Sequence, residues 1–214
     1  MIQVKNEIIE YIKKNRVSTT EVADCLGKTG VVPDVMPIKQ GMFFVGSIKW
    51  VYAYNESNYS VHEQIVDTNE NEIVFIDVFD CKDRAIIGDL VSKYILLYRG
   101  AQAIVCNGKM RDARSLLKEN YPIWCKGFSP VGCVNSKPAE DLSKTNLKNK
   151  DYYDGAIAVC DDCGVVIIPK EQHTQEFLDK LHFIEEQEDI WFDCIDRRKW
   201  STFDTVCLKK YLEE

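Results

Sequence analysis

The central part of the chain, residues 86–116, reads IIGDLVSKYILLYRGAQAIVCNGKMRDARSL. This stretch predicts a helix that starts at Gly88, a buried strand around AIVC, and a second helix that opens at Asp112. The apolar run IVFIDVF at 73–79 comes before it and predicts a first strand. A strand, a crossover helix and a second strand are parallel, so both strands end at one edge of the sheet. Because open α/β sheets bind ligands at that edge, the polar residues after each strand are the first candidates for a functional site.

The flanking segments predict further elements of an α/β fold. Ser18 precedes Glu21 by three residues, which is the pattern of a capping box at a helix start. Helices are predicted at 2–14, 61–66 and 171–214, strands at 42–54 and 123–126, an extended loop at 31–41, and an exposed polar excursion at 138–150. The simplest organisation is one domain, 1–214, with a carboxyl-terminal helical extension over about 171–214. Ile184, Ile190 and Trp191 are expected on the apolar side of that extension.

Composition and charge exclude several classes of function. Hydrophobic residues make up 45% of the 214 residues, which is typical of a folded chain. The net charge of −7 disfavours non-specific nucleic-acid binding. The longest apolar stretch falls well short of the ~20 residues that cross a bilayer. The amino-terminal residues are charged throughout and lack the apolar core of a signal peptide. We therefore expect a cytoplasmic protein with neither a nucleic acid nor a membrane as partner.

The cysteines and histidines carry no strong signal of their own. There are nine cysteines, an odd number without a regular framework, which favours reduced thiols. Cys160 and Cys163 form one CxxC pair, but strand-like residues follow it, so a tight hairpin turn is favoured over a zinc or redox site. His62, His173 and His182 are far apart and are interpreted as surface or packing residues.

The first candidate element is Gly88-Asp89-Leu90-Val91, at the start of the predicted helix. Amides at a helix start have no partner within the helix, and with the helix dipole they favour a carboxylate or a phosphate. The simpler alternative is that Asp89 only caps the helix. Taken alone, this element is better explained by capping through Asp89 than by an anion-binding site.

The second candidate element is Arg111-Asp112, which follows a buried strand and opens a helix. Here too Asp112 could be only a cap, and Arg111 could pair with a surface carboxylate for little energy. An adjacent cation and carboxylate at the end of a strand also suit a divalent metal and an anionic substrate. Two such elements at one edge of a βαβ unit support a ligand site more strongly than either element does alone.

These residues also carry a resemblance to a known family. Residues 88–132, GDLVSKYILLYRGAQAIVCNGKMRDARSLLKENYPIWCKGFSPVG, resemble the central signature of the RraA-like proteins, named after the regulator of ribonuclease E activity A. The family also contains class II pyruvate aldolases acting on 4-hydroxy-4-methyl-2-oxoglutarate and 4-carboxy-4-hydroxy-2-oxoadipate. The segments VSTTEVADCLGKTGVV at 17–32 and DGAIAVCDDCGVVIIP at 154–169 extend the resemblance over nearly the whole chain.

The resemblance implies a fold and a site. The fold would be an α/β fold of the swivelling phosphohistidine-domain type, with layered β/β/α architecture, assembled as a homotrimer or a homohexamer. Asp112 would be the ligand of Mg²⁺ or Mn²⁺, Arg111 would contact a small 2-oxo acid, and Asp89 would hold metal-bound water. The substrate carboxylate would lie at Gly88 and the amides of Leu90 and Val91. A carboxylate from a neighbouring subunit would complete the site, and the candidates are Glu185, Glu186 and Glu188.

The implied function is a metal-dependent lyase that forms a pyruvate enolate, either by retro-aldol cleavage or by oxaloacetate decarboxylation. The sequence departs from the aldolase pattern at Ser115, where an acidic residue is usual. It departs again at Lys109, which would either bind another substrate carboxylate or obstruct it. The alternative is a non-catalytic regulator that binds a ribonuclease or another protein, although the retained Asp112 weighs against it. Methyl transfer is a third hypothesis, but no glycine-rich nucleotide-binding motif follows the first strand to support it.

Overall fold

A seven-stranded mixed sheet organises residues 2–213, the part of the chain that this computed structural model describes. The strands are β1 (Met36–Pro37), β2 (Phe44–Tyr54), β3 (Ile73–Phe79), β4 (Ala103–Cys106), β5 (Ile123–Cys125), β6 (Ile157–Asp161) and β7 (Gly164–Ile168). Their order across the sheet is β1-β5-β4-β3-β2-β6-β7. The two edge strands approach each other, since a Cβ added at Gly164 would lie 3.0 Å from the carbonyl oxygen of Val35. The sheet is therefore curled into a nearly closed barrel.

Helices cover this sheet on its outer faces. They are α1 (Ile2–Asn15), α2 (Thr19–Cys25), α3 (Tyr59–Gln64), α4 (Asp89–Lys93), α5 (Ala113–Lys118), α6 (Lys144–Leu147), α7 (Asn149–Tyr153) and α8 (Gln175–Asp196). A π-helical turn, Tyr94–Tyr98, continues α4. No helix within residues 2–213 combines the length and the apolar character needed to cross a membrane.

The predicted parallel unit forms the centre of the sheet. Strands β2, β3, β4 and β5 run parallel, whereas β1, β6 and β7 are antiparallel to their neighbours. Ile73 lies opposite Ala103 and Ile76 opposite Cys106, so β3 and β4 end side by side. The α/β fold and the parallel β3–α4–β4 arrangement are confirmed.

Both faces of β3 are buried, which explains its nearly continuous apolar sequence. Side chains alternate across a strand, so Val74 and Ile76 pack into one core cluster while Ile73 and Phe75 pack into another. The first cluster also holds Met110 and lies beneath the loops that follow β3 and β4. A third cluster holds α1, α2 and α8 against β6 and β7.

Two predicted loops are more structured than expected. The segment 31–41 contains β1, whose Met36 pairs with Cys125 of β5. The excursion at 138–150 includes α6 and leads into α7, where Asn149 Nδ2 donates to the buried carboxylate of Asp77 over 2.9 Å. Sequence patterns missed both because long-range partners, and not local periodicity, stabilise these segments.

The carboxyl-terminal helical run differs from the prediction in its apolar side. Phe177 and Leu181 of α8 are buried, but Ile190 is 43% exposed. The helix α8 ends at Asp196, and two further helical turns follow at Phe203–Cys207 and Lys210–Leu212. Most buried side chains of α8 therefore lie in its first half, although Cys194 near its end is also buried.

The predicted capping box and hairpin are both confirmed. Ser18 Oγ accepts from the amide of Glu21, and Glu21 Oε2 accepts from the amide of Ser18. Cys160 lies in β6, and the tight turn before Gly164 joins it to β7. Asp161 accepts hydrogen bonds from Thr19, so this hairpin also anchors the start of α2.

The capping box gives a first testable prediction. We expect Ser18→Ala to lower the free energy of unfolding by about 1 kcal/mol, because the amide of Glu21 loses its acceptor. Urea unfolding followed by circular dichroism measures the change. Thr20→Ala, at an exposed position of the same helix, is the matched control, and an equal loss in both variants would contradict this role for the box.

Candidate functional site

The loops that follow β3 and β4 run side by side at one edge of the sheet. Ala85 and Lys109 form a parallel bridge, and the amide of Ile86 donates to the carbonyl oxygen of Lys109 over 2.8 Å. The amide of Arg111 donates to the carbonyl oxygen of Ile87 over 3.1 Å. These backbone bonds place Gly88 directly beside the Arg111-Asp112 pair.

Residue 88 must be glycine because the second loop occupies the space of a side chain. A Cβ added at Gly88 would lie 2.2 Å from Oδ2 of Asp112 and 2.7 Å from Cγ of Arg111. Gly88 itself is buried and extended, so the constraint is close packing and not backbone conformation. The glycine lets the two loops touch.

Asp112 is the N-terminal flanking residue of α5, but its side chain does not cap that helix. Its backbone is left-handed, with φ 60° and ψ 34°, a conformation that Asp tolerates better than most residues. Its Oδ2 accepts from the amide of Asp89 over 3.1 Å and lies 3.7 Å from Nε of Arg111. The side chains of Arg111 and Asp112 are 53% and 44% exposed. The interpretation of Asp112 as only a helix cap is therefore wrong.

Asp89 is the first residue of α4, and Gly88 occupies the cap position before it. The Oδ1 atom of Asp89 is shielded from solvent and has no hydrogen-bond partner among residues 2–213. Burial and the nearby carboxylates of Asp89 and Glu119 raise the pKa of Tyr121. The Asp89 side chain therefore has an unused acceptor while its backbone amide binds Asp112, and simple capping does not explain this arrangement.

The first turn of α4 supplies two further donors. The amides of Leu90 and Val91 lie in that turn, where backbone N–H groups have no acceptor within the helix. Leu90 is 82% exposed, and both residues line the same cavity. An anion with two acceptor oxygens fits this arrangement.

A cavity of about 110 Å³ opens against these elements. Of the predicted site residues, Gly88, Leu90, Val91 and Arg111 line it, whereas Asp89 and Asp112 do not. The rest of the wall was not predicted from the sequence, and it includes Asn58, His62, Gly132, Cys133 and Asn135.

Two of the missed residues carry a weak sequence signal. Asn58 and His62 are four positions apart at the start of α3, which places them on one face of a helix. His62 is exposed, as predicted for a surface residue, but it also lines the cavity. Cys133 gave no signal at all. A hydrogen bond with Cys81 and burial raise the pKa of the Cys133 thiol, so it forms a neutral part of the wall.

Lys109 is not part of this wall. Its Nζ forms an ion pair with Oδ1 of Asp83 at 2.8 Å, and that hydrogen bond lowers the pKa of Asp83. The ammonium group is therefore already partnered within the chain.

The three candidate glutamates lie on α8, which packs on α1 and α2 and away from the core cluster beneath the two loops. Glu185 accepts a hydrogen bond from the hydroxyl of Tyr11. Burial is the main cause that raises the pKa of Glu188, with Glu21 as the next contribution. Glu186 is exposed. Within one chain, the structure does not bring these carboxylates to Asp112.

The chain is similar to known proteins both in sequence and in fold. A family model described as RraA-like, Aldolase/RraA, matches residues 19–167. The DlpA protein of Legionella pneumophila is 25% identical over 82% of this chain, although the chain spans only 29% of DlpA. A Halalkalibacterium halodurans protein named "Putative 4-hydroxy-4-methyl-2-oxoglutarate aldolase" is 26% identical, over 77% of this chain and 79% of that protein.

The fold is also similar to that of solved structures. Streptomyces coelicolor RraAS2, described as an unusual member of the RNase ES inhibitor RraA protein family, matches with a TM-score of 0.67. The match covers 86% of this chain and 94% of that protein, at 20% identity. At that identity the likeness shows the fold alone.

Gly88 gives a test of the contact between the two loops. We expect Gly88→Ala to lower the free energy of unfolding by about 1–3 kcal/mol, because the added methyl group overlaps Asp112 and Arg111. Gly132→Ala is the matched control, since its methyl group would meet only the mobile end of Arg111, Nη1 at 2.8 Å. Urea unfolding of both variants measures the difference. Equal stability of the two variants would show that the loops separate at little cost.

Proposed function

Because this chain belongs to the RraA-like family, we propose that it is a divalent-metal-dependent lyase that cleaves a 2-oxo acid through a pyruvate enolate. The name of the H. halodurans relative supports the same class of reaction. One observation carries the proposal: the bond from the Asp89 amide to Asp112 Oδ2, beside Arg111, which lines a small cavity. Arg111, Leu90 and Val91 thus line one cavity, and the carboxylate of Asp112 lies 3.7 Å from Nε of Arg111.

The residues present fit a hydrated Mg²⁺ or Mn²⁺ ion. Residues 2–213 contain no cluster of three or more His, Cys, Asp or Glu side chains able to hold a metal, so Asp112 would be the protein ligand in this chain. One carboxylate is sufficient for Mg²⁺, which keeps several waters and takes its other ligands from the substrate. The unpartnered Oδ1 of Asp89 would accept a hydrogen bond from such a water.

The remaining groups would bind and orient the substrate. The amides of Leu90 and Val91 would receive its carboxylate, with the dipole of α4 adding to the attraction. Arg111 would approach the keto oxygen and stabilise the negative charge that develops there. The cation, when bound, supplies Lewis acidity toward the same oxygen.

One enolate serves two reactions. Loss of CO₂ from oxaloacetate leaves the enolate directly, whereas retro-aldol cleavage first requires deprotonation of a hydroxyl group. In both cases the electrons of the broken C–C bond move onto the keto oxygen, and protonation of carbon then gives pyruvate. Lys109 pairs with Asp83, so we do not assign it to a second substrate carboxylate.

We also propose that a second copy of the chain completes the site, in a homotrimer or a homohexamer. An exposed apolar groove adjoins the cavity and shares His62, Leu90 and Val91 with it. Tyr98 is 72% exposed in this groove, and contiguous exposed apolar surface is typical of an interface. Glu185, Glu186 or Glu188 of the second copy would supply the further carboxylate.

A pyruvate assay tests the lyase. We expect 4-hydroxy-4-methyl-2-oxoglutarate or oxaloacetate to yield pyruvate with Mg²⁺ or Mn²⁺, and EDTA to abolish the activity. Asp112→Asn should lower kcat/KM about 100-fold or more, because the amide retains the shape and the left-handed backbone but loses the charge that holds a cation. Coupling to lactate dehydrogenase measures the rate.

Asp83→Asn is the matched control, since it makes the same chemical change at an exposed carboxylate outside the cavity. We expect its activity to equal that of the wild type. The absence of metal-dependent pyruvate formation from any 2-oxo diacid would refute the lyase. The alternative, a protein-binding regulator, would then be tested by the capture of a ribonuclease. Equal capture by the wild type and by Asp112→Asn would support that alternative.

A further inference from the structure

The wall of the cavity contains a buried asparagine, Asn58, whose role the proposed site does not explain. Asn58 occupies the N-terminal flanking position of α3, where asparagine usually caps the helix with its side chain. Here it makes no capping bond, and Oγ of Ser57 accepts from the amide of Tyr59 instead. The side chain of Asn58 is therefore free for another function.

Other hydrogen bonds fix the position of this asparagine. Its Nδ2 donates to the carbonyl oxygen of Ile86 over 2.9 Å, which sets the orientation of the amide group. Its backbone amide donates to the carbonyl oxygen of Val134 over 3.1 Å, and its own carbonyl accepts from the amide of Val61 over 3.0 Å. Asn58 is only 7% exposed. The side chain is thus held rigidly against the loop that leads to Gly88.

One polar atom of Asn58 remains without a partner. Its Oδ1 is shielded from solvent and accepts no hydrogen bond within residues 2–213. Buried polar side-chain atoms are nearly always hydrogen-bonded, and leaving one unpaired is costly. Since the Nδ2 bond fixes Oδ1 as the free end, the missing partner must be a donor, and the neighbouring cavity is where a ligand would supply it.

We propose that Asn58 Oδ1 accepts a hydrogen bond from the C4 hydroxyl of a 4-hydroxy-2-oxo acid and so selects retro-aldol substrates over oxaloacetate. This inference rests on the proposed lyase function. An acceptor-only atom favours a hydroxyl group and repels a carboxylate, and oxaloacetate in its keto form has no donor at neutral pH. Sites that hydrogen-bond a substrate hydroxyl discriminate strongly against analogues that lack it.

The hydrogen bond would orient the hydroxyl group and would not remove its proton. In the cleavage of 4-hydroxy-2-oxoglutarate, a base takes the hydroxyl proton and the C4 oxygen forms a carbonyl. The C3–C4 bond breaks, its electrons move through C3 onto the C2 keto oxygen, and glyoxylate departs. The enolate then takes a proton at C3 and becomes pyruvate. Asn58 is therefore a specificity-determining residue, since the base is a separate group.

Two substitutions at this position separate the acceptor from the bond to Ile86. Asn58→Leu removes both interactions at similar volume. Asn58→Asp retains an acceptor oxygen but loses the Nδ2 donor. Asn6→Leu is the matched control, because Asn6 is exposed on α1 and lies outside the cavity. Each protein is assayed with Mg²⁺ for pyruvate formation from 4-hydroxy-2-oxoglutarate and from oxaloacetate.

We expect Asn58→Leu to lower kcat/KM for 4-hydroxy-2-oxoglutarate by about 10- to 100-fold. Its kcat/KM for oxaloacetate should remain within about threefold of the wild type, because that substrate makes no bond to Asn58. Asn58→Asp should retain more retro-aldol activity than Asn58→Leu, and Asn6→Leu should resemble the wild type with both substrates.

Three results would overturn the inference. Equal losses for both substrates in Asn58→Leu would assign Asn58 a structural role. Equal retro-aldol activity in Asn58→Asp and Asn58→Leu would show that the bond to Ile86 matters and the acceptor does not. A higher Mg²⁺ requirement for both substrates would place a metal-bound water at Oδ1.

A binding measurement separates this inference from the lyase proposal. Thermal shifts with Mg²⁺ compare 4-hydroxy-2-oxoglutarate with 2-oxoglutarate, which differs only in lacking the hydroxyl group. We expect the wild type to bind the hydroxylated acid more tightly and Asn58→Leu to lose that preference. A wild type that forms no pyruvate but keeps this preference would refute the lyase alone. No preference in the wild type would refute the role of Asn58.

Discussion

The rest of the site depends on the close contact between the loops after β3 and β4, where the backbone amide of Asp89 donates to Oδ2 of Asp112. It forms only because residue 88 has no side chain, so the loop after β3 can lie against Arg111 and Asp112. The parallel pairing of β3 with β4 delivers both loops to the same edge of the sheet. A buried sheet therefore sets the position of groups that are themselves half exposed.

The site combines charges in contact with water and acceptors shielded from it. Arg111 and Asp112 are about half exposed, so their mutual attraction at 3.7 Å contributes little to stability, and both remain available to a ligand. Asp89 Oδ1 and Asn58 Oδ1 are shielded and unpartnered, which is unfavourable unless a donor arrives. A ligand that carries both an anionic group and a hydroxyl or water hydrogen would satisfy both requirements.

The distribution of core and surface fits a site that is open in one chain. The clusters on both faces of β3 are closed and apolar, whereas the groove beside Leu90 and the second half of α8 leave apolar side chains exposed. These exposed surfaces lie where our proposal places contacts with a second copy. The same separation explains why the glutamates of α8 do not reach Asp112 within their own chain.

The sequence by itself determined the strand β3, the α4–β4–α5 unit, the capping box at Ser18 and the juxtaposition of Gly88 with Arg111-Asp112. These features follow from local periodicity, from helix-start chemistry and from the parallel geometry of strands joined by a helix, all of which are short-range rules. The tertiary structure alone decided the pairing of β1, the anchoring of Asn149 on Asp77, the pairing of Lys109 with Asp83 and the presence of Asn58 in the cavity wall. Each of these depends on which distant segment supplies a hydrogen-bond partner. The residues next to a polar side chain in the sequence do not indicate which partner it will contact in the folded chain.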